Sequence, residues 1–435
     1  MKSRFKILLF PSSRCVLIIH LGAALMALLC SATPVSGQVD SRAAEVEAAR
    51  DRKAQVLQPD TSPVWEQRLI YIRDKKIFER ITAGVAGFRA KLGGLVTGSG
   101  FALGPEYLRR DLAQGHVTLR AAAQSSFKGY QKYDLQFSVP STQRHPYFLD
   151  LQSTYRNYPG INYYGPGPDS NKSSRSDFRL EDTRFNGRAG VEPVRHLKTG
   201  VSVGYALVNV GPGTDKRFIS ADKVFTPEQA PGIDRQPDFF RHTYFVQYDY
   251  RDNPGGPRSG GNYIFEFGNY IDRDLSQHDF RRLDVHLQQY IPFFNQRRVI
   301  ALRAKSTLTF TENGQRVPFY LQPTLGGSDD LRGFRPFRFY DDNLLLANLE
   351  YRWETFSGLD MALFADAGKV FPRHSQWNFH DMEASAGFGF RFNVRNNVFL
   401  RTDVGFSHEG FQVWIKFNNM FTEGVQGSPD TESIY

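Results

Sequence analysis

Counted by twos, much of the chain separates apolar from charged positions. In 343–353, Leu345, Ala347, Leu349, Tyr351 and Trp353 share one parity, and Asn348, Glu350 and Arg352 take the other. A β-strand turns successive side chains to opposite faces, so this segment has one greasy face and one charged face. The pattern recurs. Phe411, Val413, Ile415 and Phe417 oppose Gln412, Trp414, Lys416 and Asn418, and Val398, Leu400, Thr402, Val404 and Phe406 oppose Arg401 and Asp403. Ile300, Leu302, Ala304 and Leu308 oppose Arg303 and Lys305; Leu283, Val285, Leu287 and Ile291 oppose Asp284, His286 and Gln288; Tyr133, Leu135, Phe137 and Val139 oppose Asp134 and Gln136.

Extended along the chain, this pattern predicts strands over 80–91, 94–108, 115–126, 130–139, 147–157, 177–191, 197–209, 239–251, 261–273 and 278–291. They continue over 297–311, 341–353, 359–367, 381–393, 396–406 and 411–421. The count is sixteen, an even number that puts both ends of the sheet on one side of a membrane. A soluble sandwich also alternates, so parity alone does not choose between them. The choice rests on strands of about ten residues, short turns such as Asn396-Asn397 alternating with long polar loops, and aromatics near strand ends. In lipid every backbone N–H and C=O needs an internal partner, so strands cross only as a closed barrel. The expected fold is therefore all-β, a transmembrane antiparallel β-barrel of about sixteen strands.

Composition agrees. The 435 residues include 37 Phe, 20 Tyr and 38 Gly, yet only 40% are hydrophobic and mean hydropathy is −0.44. That is a poor core for a soluble protein of this size and a fitting one for alternating strands. At the N-terminus, Lys2, Arg4, Lys6 and Arg14 precede an apolar run from Val16 to Leu29, then small residues to Gly37. This reads as a cleavable signal peptide over 1–37, its core too short for a spanning helix. Leu29 fills the site before Cys30 where a lipoprotein signal needs a small residue. Cleavage removes both cysteines, Cys15 and Cys30, so no disulfide or thiolate ligand is expected in the mature chain. It also removes four basic and no acidic residues, lowering the net charge from +9 to +5. Residues 38–79, with the alanine-rich charged run Asp40–Leu57, read as a helical or disordered periplasmic arm, and 422–435 as a tail after a barrel over 80–421.

One stretch breaks the alternation: LGGSDDLRGFRPFRFYDD, from Leu325 to Asp342, between the eleventh and twelfth predicted strands. Its Leu331-Arg332-Gly333-Phe334 resembles the [VIL]-R-G-[FY] signature of the outer-membrane assembly and two-partner-secretion superfamily, the bacterial surface antigen or BamA/TamA-like family. Phe364-Ala365-Asp366-Ala367-Gly368 is similar to that family's F-x-D-x-G motif, and Glu350 stands where the family has an inward acid. Asp249-Tyr250-Arg251-Asp252-Asn253-Pro254 with Pro257, Arg258 and Gly260 resembles its R-D-x-x-x-x-P-x-x-G element, and Tyr164-Gly165-Pro166-Gly167 its Y-G-x-G loop. An aromatic at Phe421 resembles the terminal signal of bacterial outer-membrane barrels.

The resemblance implies that the loop folds back into the lumen and that Arg332 pairs with Asp366. Parity alone puts Phe364, Asp366 and Gly368 opposite Leu363 and Ala365, and Glu350 opposite Leu349, so both acids are expected to face inward. The expected lumen-loop latch is thus Arg332, Gly333, Phe334, Glu350, Phe364, Asp366 and Gly368. Gly333 is expected to permit a tight turn, and Phe334 to pack on the wall.

Other chemistry has little support. Arg332-Gly333-Phe334 with Phe337 and Phe339 loosely echoes an RNA-recognition strand, but Pro336 interrupts the ladder such a strand needs, so no nucleic-acid partner is expected. Gly98-Ser99-Gly100 lacks a Walker lysine. His116, His286 and His408 have no serine at a defensible spacing, and no cluster has metal-ligand spacing, so neither catalysis nor a cofactor is expected. Members of the family that insert or secrete proteins carry periplasmic POTRA domains, for which the forty residues before the first strand leave no room; a short member lacking them is implied. Its expected partners are outer-membrane lipid and lipopolysaccharide, client outer-membrane or secreted proteins, and a separate periplasmic POTRA-type or chaperone protein. Two functions follow: an insertase or translocase with a weak seam between first and last strands near the glycine-rich stretch 83–100, or a passive pore or structural envelope barrel.

Overall fold

Each alternating segment finds its partner in the next one along the chain. The computed structural model describes residues 85–418, apart from 94 and 395, together with Phe421. The expected signal peptide at 1–37, the expected arm at 38–79, the expected tail at 422–435 and the first residues of the first predicted strand lie outside the described residues. The strands are β1 (Phe88–Leu92), β2 (Ala102–Leu112), β3 (Val117–Ser126), β4 (Gln131–Val139), β5 (Tyr147–Tyr163) and β6 (Ser176–Val194). There follow β7 (Leu197–Pro212), β8 (Phe239–Asp249), β9 (Gly260–Asp272), β10 (Phe280–Phe293) and β11 (Arg298–Thr311). A small pair, β12 (Thr324–Leu325) and β13 (Phe339–Tyr340), precedes β14 (Asn343–Phe356), β15 (Leu359–Phe371), β16 (Glu383–Val394), β17 (Asn397–Ser407) and β18 (Gly410–Lys416). Leaving out β12 and β13, these form one sixteen-stranded antiparallel sheet in chain order.

The faces are inverted relative to a soluble protein. Outward side chains such as Leu135, Leu349 and Ile415 are 54%, 46% and 64% exposed, whereas inward Glu350, Arg391, Arg401 and Asp403 are fully buried. An apolar exterior around a charged interior is what a lipid solvent requires.

Several strand ends shift, β5 running on to Tyr163 past the expected 157 and β15 to Phe371 past 367, and three departures bear on the loop and the sheet edges. The second strand begins at Ala102 rather than 94, because Gly93, Gly98 and Gly100 adopt φ of 131°, 94° and 80° and turn the chain off the ladder. The released residues fold toward the loop after β11, where Thr97 Oγ1 lies 3.1 Å from Ser328 Oγ. The last strand stops at Lys416 instead of 421. Phe421, at φ 63°, is buried with Tyr290, Val299 and Ala301, and its carbonyl accepts from Gln288 Nε2 at 3.1 Å. Burying that ring beneath the Arg303 guanidinium, 5.3 Å from its centroid, offsets the ladder bonds given up. Finally, the loop 312–342 contains a hairpin, with Thr324 opposite Tyr340 and Leu325 opposite Phe339.

Loops pack over one end. Tyr163 meets the rings of Phe225, Phe319 and Tyr340 at 4.8, 5.0 and 4.9 Å. The Tyr164–Gly167 element supports the base of the β12–β13 hairpin, its Gly167 N–H donating to the Tyr340 carbonyl at 2.7 Å. Arg338 donates to the Ser170 carbonyl at 2.6 Å and to Glu409 at 2.8 Å.

At the opposite end, short turns alternate with one longer segment. Residues 250–259, the element between β8 and β9, reach across to the turns of β15–β17. Arg258 donates to both oxygens of Asp360 at 2.8 Å, Asn253 donates to the Asn396 carbonyl at 2.7 Å, and Val398 N–H donates to the Gly255 carbonyl at 3.0 Å. A Cβ on Gly255 would lie 2.1 Å from Asn397 Oδ1, so the crossing needs glycine for close approach. The sheet is thus rolled, but among the described residues no ladder joins β1 to β18. Phe417, just beyond β18, instead packs 5.5 Å from Phe101, which follows the turn after β1.

Candidate functional site

The β12–β13 hairpin projects its tip into the rolled sheet because its own apolar residues pack there. Leu325, Leu331, Phe334 and Phe339 cluster with the inward Leu344 and Leu346 of β14 and Val370 of β15. Each such buried side chain contributes roughly 1.5–3 kcal/mol, which offsets the cost of carrying a guanidinium out of water.

That guanidinium is Arg332, fully buried. Its Nε and Nη2 donate to Asp366 Oδ2 and Oδ1 at 2.9 and 2.7 Å, a bidentate fork. Its backbone N–H adds a third bond to Asp366 at 3.1 Å, and its Nη1 donates to Glu350 Oε2 at 2.6 Å. The Phe364 ring stacks beneath, 3.4 Å from Arg332 Cζ to the ring centroid, a cation–π contact in a dry setting. Asp366 also accepts from Asn348 Nδ2 at 2.8 Å and Ser385 Oγ at 3.3 Å.

The structure brings all seven sequence-expected residues to one region, with one change of reason. Gly333 is not at positive φ; a Cβ there would lie 2.7 Å from the Phe406 backbone and 2.7 Å from Ser385 Cβ. It is small because the tip lies flush on β16 and β17, not because the turn is tight. Gly405 answers it from the wall, where a Cβ would meet the Arg332 carbonyl oxygen at 2.4 Å, and Gly387 leaves room for Phe364 at 2.6 Å. Gly368 similarly sits beneath Leu325 Cδ1, 3.0 Å from where its Cβ would be. Phe334 packs edge-on to Phe339 and His408, both at 5.4 Å.

Charges that sequence reasoning did not assign complete the network. Glu350 is its hub, accepting also from Arg352 Nε at 2.6 Å and Arg391 Nη2 at 2.8 Å. Arg391 continues to Asp403 at 2.7 Å, and Arg401 reaches Asp329 in the loop at 2.6 Å. Trp414 Nε1 on the last strand donates to the Arg332 carbonyl at 2.8 Å. Counting by twos along β16 puts Arg391 on the inward face with Ser385, Gly387 and Gly389, which was the available signal; its pairing with Glu350, two strands earlier on β14, was not.

Of the histidines singled out in the sequence, His116 Nδ1 lies 2.9 Å from the Ala113 carbonyl, His286 receives Arg303 Nε at 2.9 Å, and His408 lies 3.2 Å from Glu383 at an exposed position. At the base of the hairpin, beyond the strands, burial pushes the Asp341 carboxyl up to about 7. A carboxyl raised on folding adds stability below its unfolded value near 4 and loses it as pH rises through about 7. Wild type is expected to lose roughly 1–3 kcal/mol from this group between about pH 4 and about pH 8, and Asp341→Asn to remove that loss. Denaturant midpoints of both proteins at the two pH values measure it; parallel shifts would refute it.

A family model described as the Omp85 superfamily domain matches residues 117–421, from β3 through Phe421. Among solved structures, the chain is similar to the crystal structure of BamA from Haemophilus ducreyi lacking POTRA domains 1-3, at 15% identity and a TM-score of 0.57, over 76% of this chain and 69% of that one. It is also similar to CdiB from Escherichia coli, at 13% identity and a TM-score of 0.52, over 77% of this chain and 62% of that one. At these identities the likeness is one of fold, and the chain spans less than two thirds of the CdiB length. No protein of curated function matches the chain by sequence.

Proposed function

We propose, for a chain that belongs to the Omp85 superfamily, an outer-membrane β-barrel that takes part in inserting or translocating client proteins, with the seam between β1 and β18 as the route. The observation that carries this reading is the unpaired edge. β5 and β6 run for 17 and 19 residues, whereas β1 and β18 have five and seven, and among the described residues β18 has no partner on its outer side and β1 has only Val85, which exchanges two backbone bonds with Phe88 at 2.8 and 3.0 Å. A bare edge in lipid costs several kcal/mol for each unsatisfied backbone group. A client strand added by β-augmentation would satisfy those groups, and the outward Phe411, Val413 and Ile415 already suit a lipid boundary.

In this reading the Arg332 loop is the latch that keeps the lumen shut while the seam works. The tip fills space that a passive pore needs open. Clients would be outer-membrane or secreted proteins, received with the help of a periplasmic partner.

Disulfides engineered between 88–92 and 410–416 test the route. Oxidation is expected to stop assembly of client proteins in the native cell and reduction to restore it. Unchanged client levels in the locked protein, with steady conductance in bilayers, would replace this reading with a passive pore or structural envelope barrel.

A further inference from the structure

Away from the loop tip, the inward face of β6–β8 gathers hydrogen-bond donors that have no partner among the described residues. Arg188, Ser202 and Thr243 stand opposite one another across three strands, with Gly268 next on β9. In the adjacent inward row stand Asn186, Gly204, Arg241 and Tyr270. Cross-strand neighbours lie about 5 Å apart, so both rows form one patch. Within it Arg188 Nη1, Ser202 Oγ, Arg241 Nε and Thr243 Oγ1 are buried and make no hydrogen bond among the described residues. A buried donor left unsatisfied is costly, and here four stand in two neighbouring inward rows.

We propose that this patch binds a small tetrahedral oxyanion of the phosphate class. All four atoms are able to donate, and guanidinium edges beside hydroxyls are the donor set that phosphate oxygens accept from. The charge balance points the same way. Asp150 is taken by Arg188 at 3.0 and 2.6 Å, and Asp182 by Arg156, at 2.8 and 2.6 Å, and by Arg184. Among the described residues the hydrogen bonds of Arg241 and Arg282 go to neutral partners, Arg241 donating to Asn186 Oδ1 at 2.8 Å and Arg282 to the Leu321 carbonyl at 2.7 Å and to Thr309 at 3.4 Å, while Asp342 in the loop above acts on Arg282 through space. The next acids, Glu266 and Asp284, stand one inward row beyond Gly268 and Arg282, and Asp284 accepts from Thr307 at 2.6 Å.

Space is provided as well as charge. Beside the row of Arg188, Ser202 and Thr243, a cavity of about 30 Å³ lies against Arg184, Asn186, Arg241, Tyr270 and Arg282 beneath Leu321, Arg241 being the one of the four donor residues that lines it; it exceeds the roughly 10–15 Å³ that one water needs. The floor is kept low by glycine: a Cβ on Gly204 would lie 2.6 Å from Asn186 Oδ1, and one on Gly268 2.9 Å from Thr243 Oγ1. An anion seated here would tie β6–β8 to the loop after β11 through Arg282 and Leu321.

The test is thermal unfolding of the refolded full chain in detergent, with inorganic phosphate titrated against sodium chloride at matched ionic strength. Phosphate is expected to raise the midpoint saturably, as binding to the folded state must. Arg241→Gln is expected to weaken the apparent affinity about tenfold or more, and Ser202→Asp, which supplies a carboxylate from within, to abolish the phosphate effect while folding at least as well as wild type. Equal shifts in phosphate and chloride, or a wild-type titration in Ser202→Asp, would overturn the proposal. Neither outcome bears on the seam, which is read in a different assay.

Discussion

Arg332→Ala is expected to unseat the loop tip and to turn a nearly closed lumen into a conducting one. The variant removes one cation from a network, buried except at Asp329, in which Arg332, Arg352, Arg391 and Arg401 face Glu350, Asp366, Asp403 and Asp329. Three hydrogen bonds to Asp366 include two from the guanidinium, so truncation leaves that carboxylate with only Asn348, Ser385 and one backbone N–H. Breaking a buried pair from one side costs ~3–5 kcal/mol, because the remaining charge stays buried. The stacking on Phe364 is lost as well. Asp366→Ala acts in the same direction but leaves Arg332 bound to Glu350 at 2.6 Å, so its effect should be smaller. Planar-bilayer conductance of the refolded protein, with denaturant midpoints beside it, separates the cases. Wild type that already conducts steadily, and conducts the same in both variants, would remove the latch from consideration.

Much of this geometry was legible because strand parity is a local code. Glu350 and Asp366 declare their inward direction within three residues of sequence, since Leu349, Tyr351 and Ala365 on either side face out. The boundaries that failed, at Ala102 and Lys416, failed where glycine conformation and a distant pocket overrode the pattern. Nothing near Phe421 announces that Tyr290 and Gln288, on β10, will receive it. The network around Glu350 was half visible for the same reason. Its own strand shows an inward acid, but the three arginines that converge on it come from the loop, from β14 itself and from β16. Parity gives the direction of each side chain and says nothing of which height across the lumen it reaches. Gly333 shows the limit most clearly: the residue was singled out, yet its smallness answers to Phe406 and Ser385, contacts that no spacing along the loop encodes.

That contact supplies a way to test the proposed latch without touching a charge. Gly405→Ala is expected to expel the tip nearly as completely as Arg332→Ala, because the new Cβ would sit 2.4 Å from the Arg332 carbonyl oxygen and 2.5 Å from its carbon. Both atoms are backbone, so no flexible side chain can yield. Overpacking of this kind costs ~1–3 kcal/mol, enough to set against the bonds that hold the tip. Trp414, which donates to the same carbonyl, would lose its partner as the tip withdrew, and its indole fluorescence should report the release directly. If the tip docks as one unit, the double variant Arg332→Ala/Gly405→Ala should conduct no more than the stronger single and lose less stability than the two losses added. Fully additive losses would mean that the arginine and the glycine pair act separately. The lumen would then be closed by two independent contacts, and cutting either one alone would leave it largely shut.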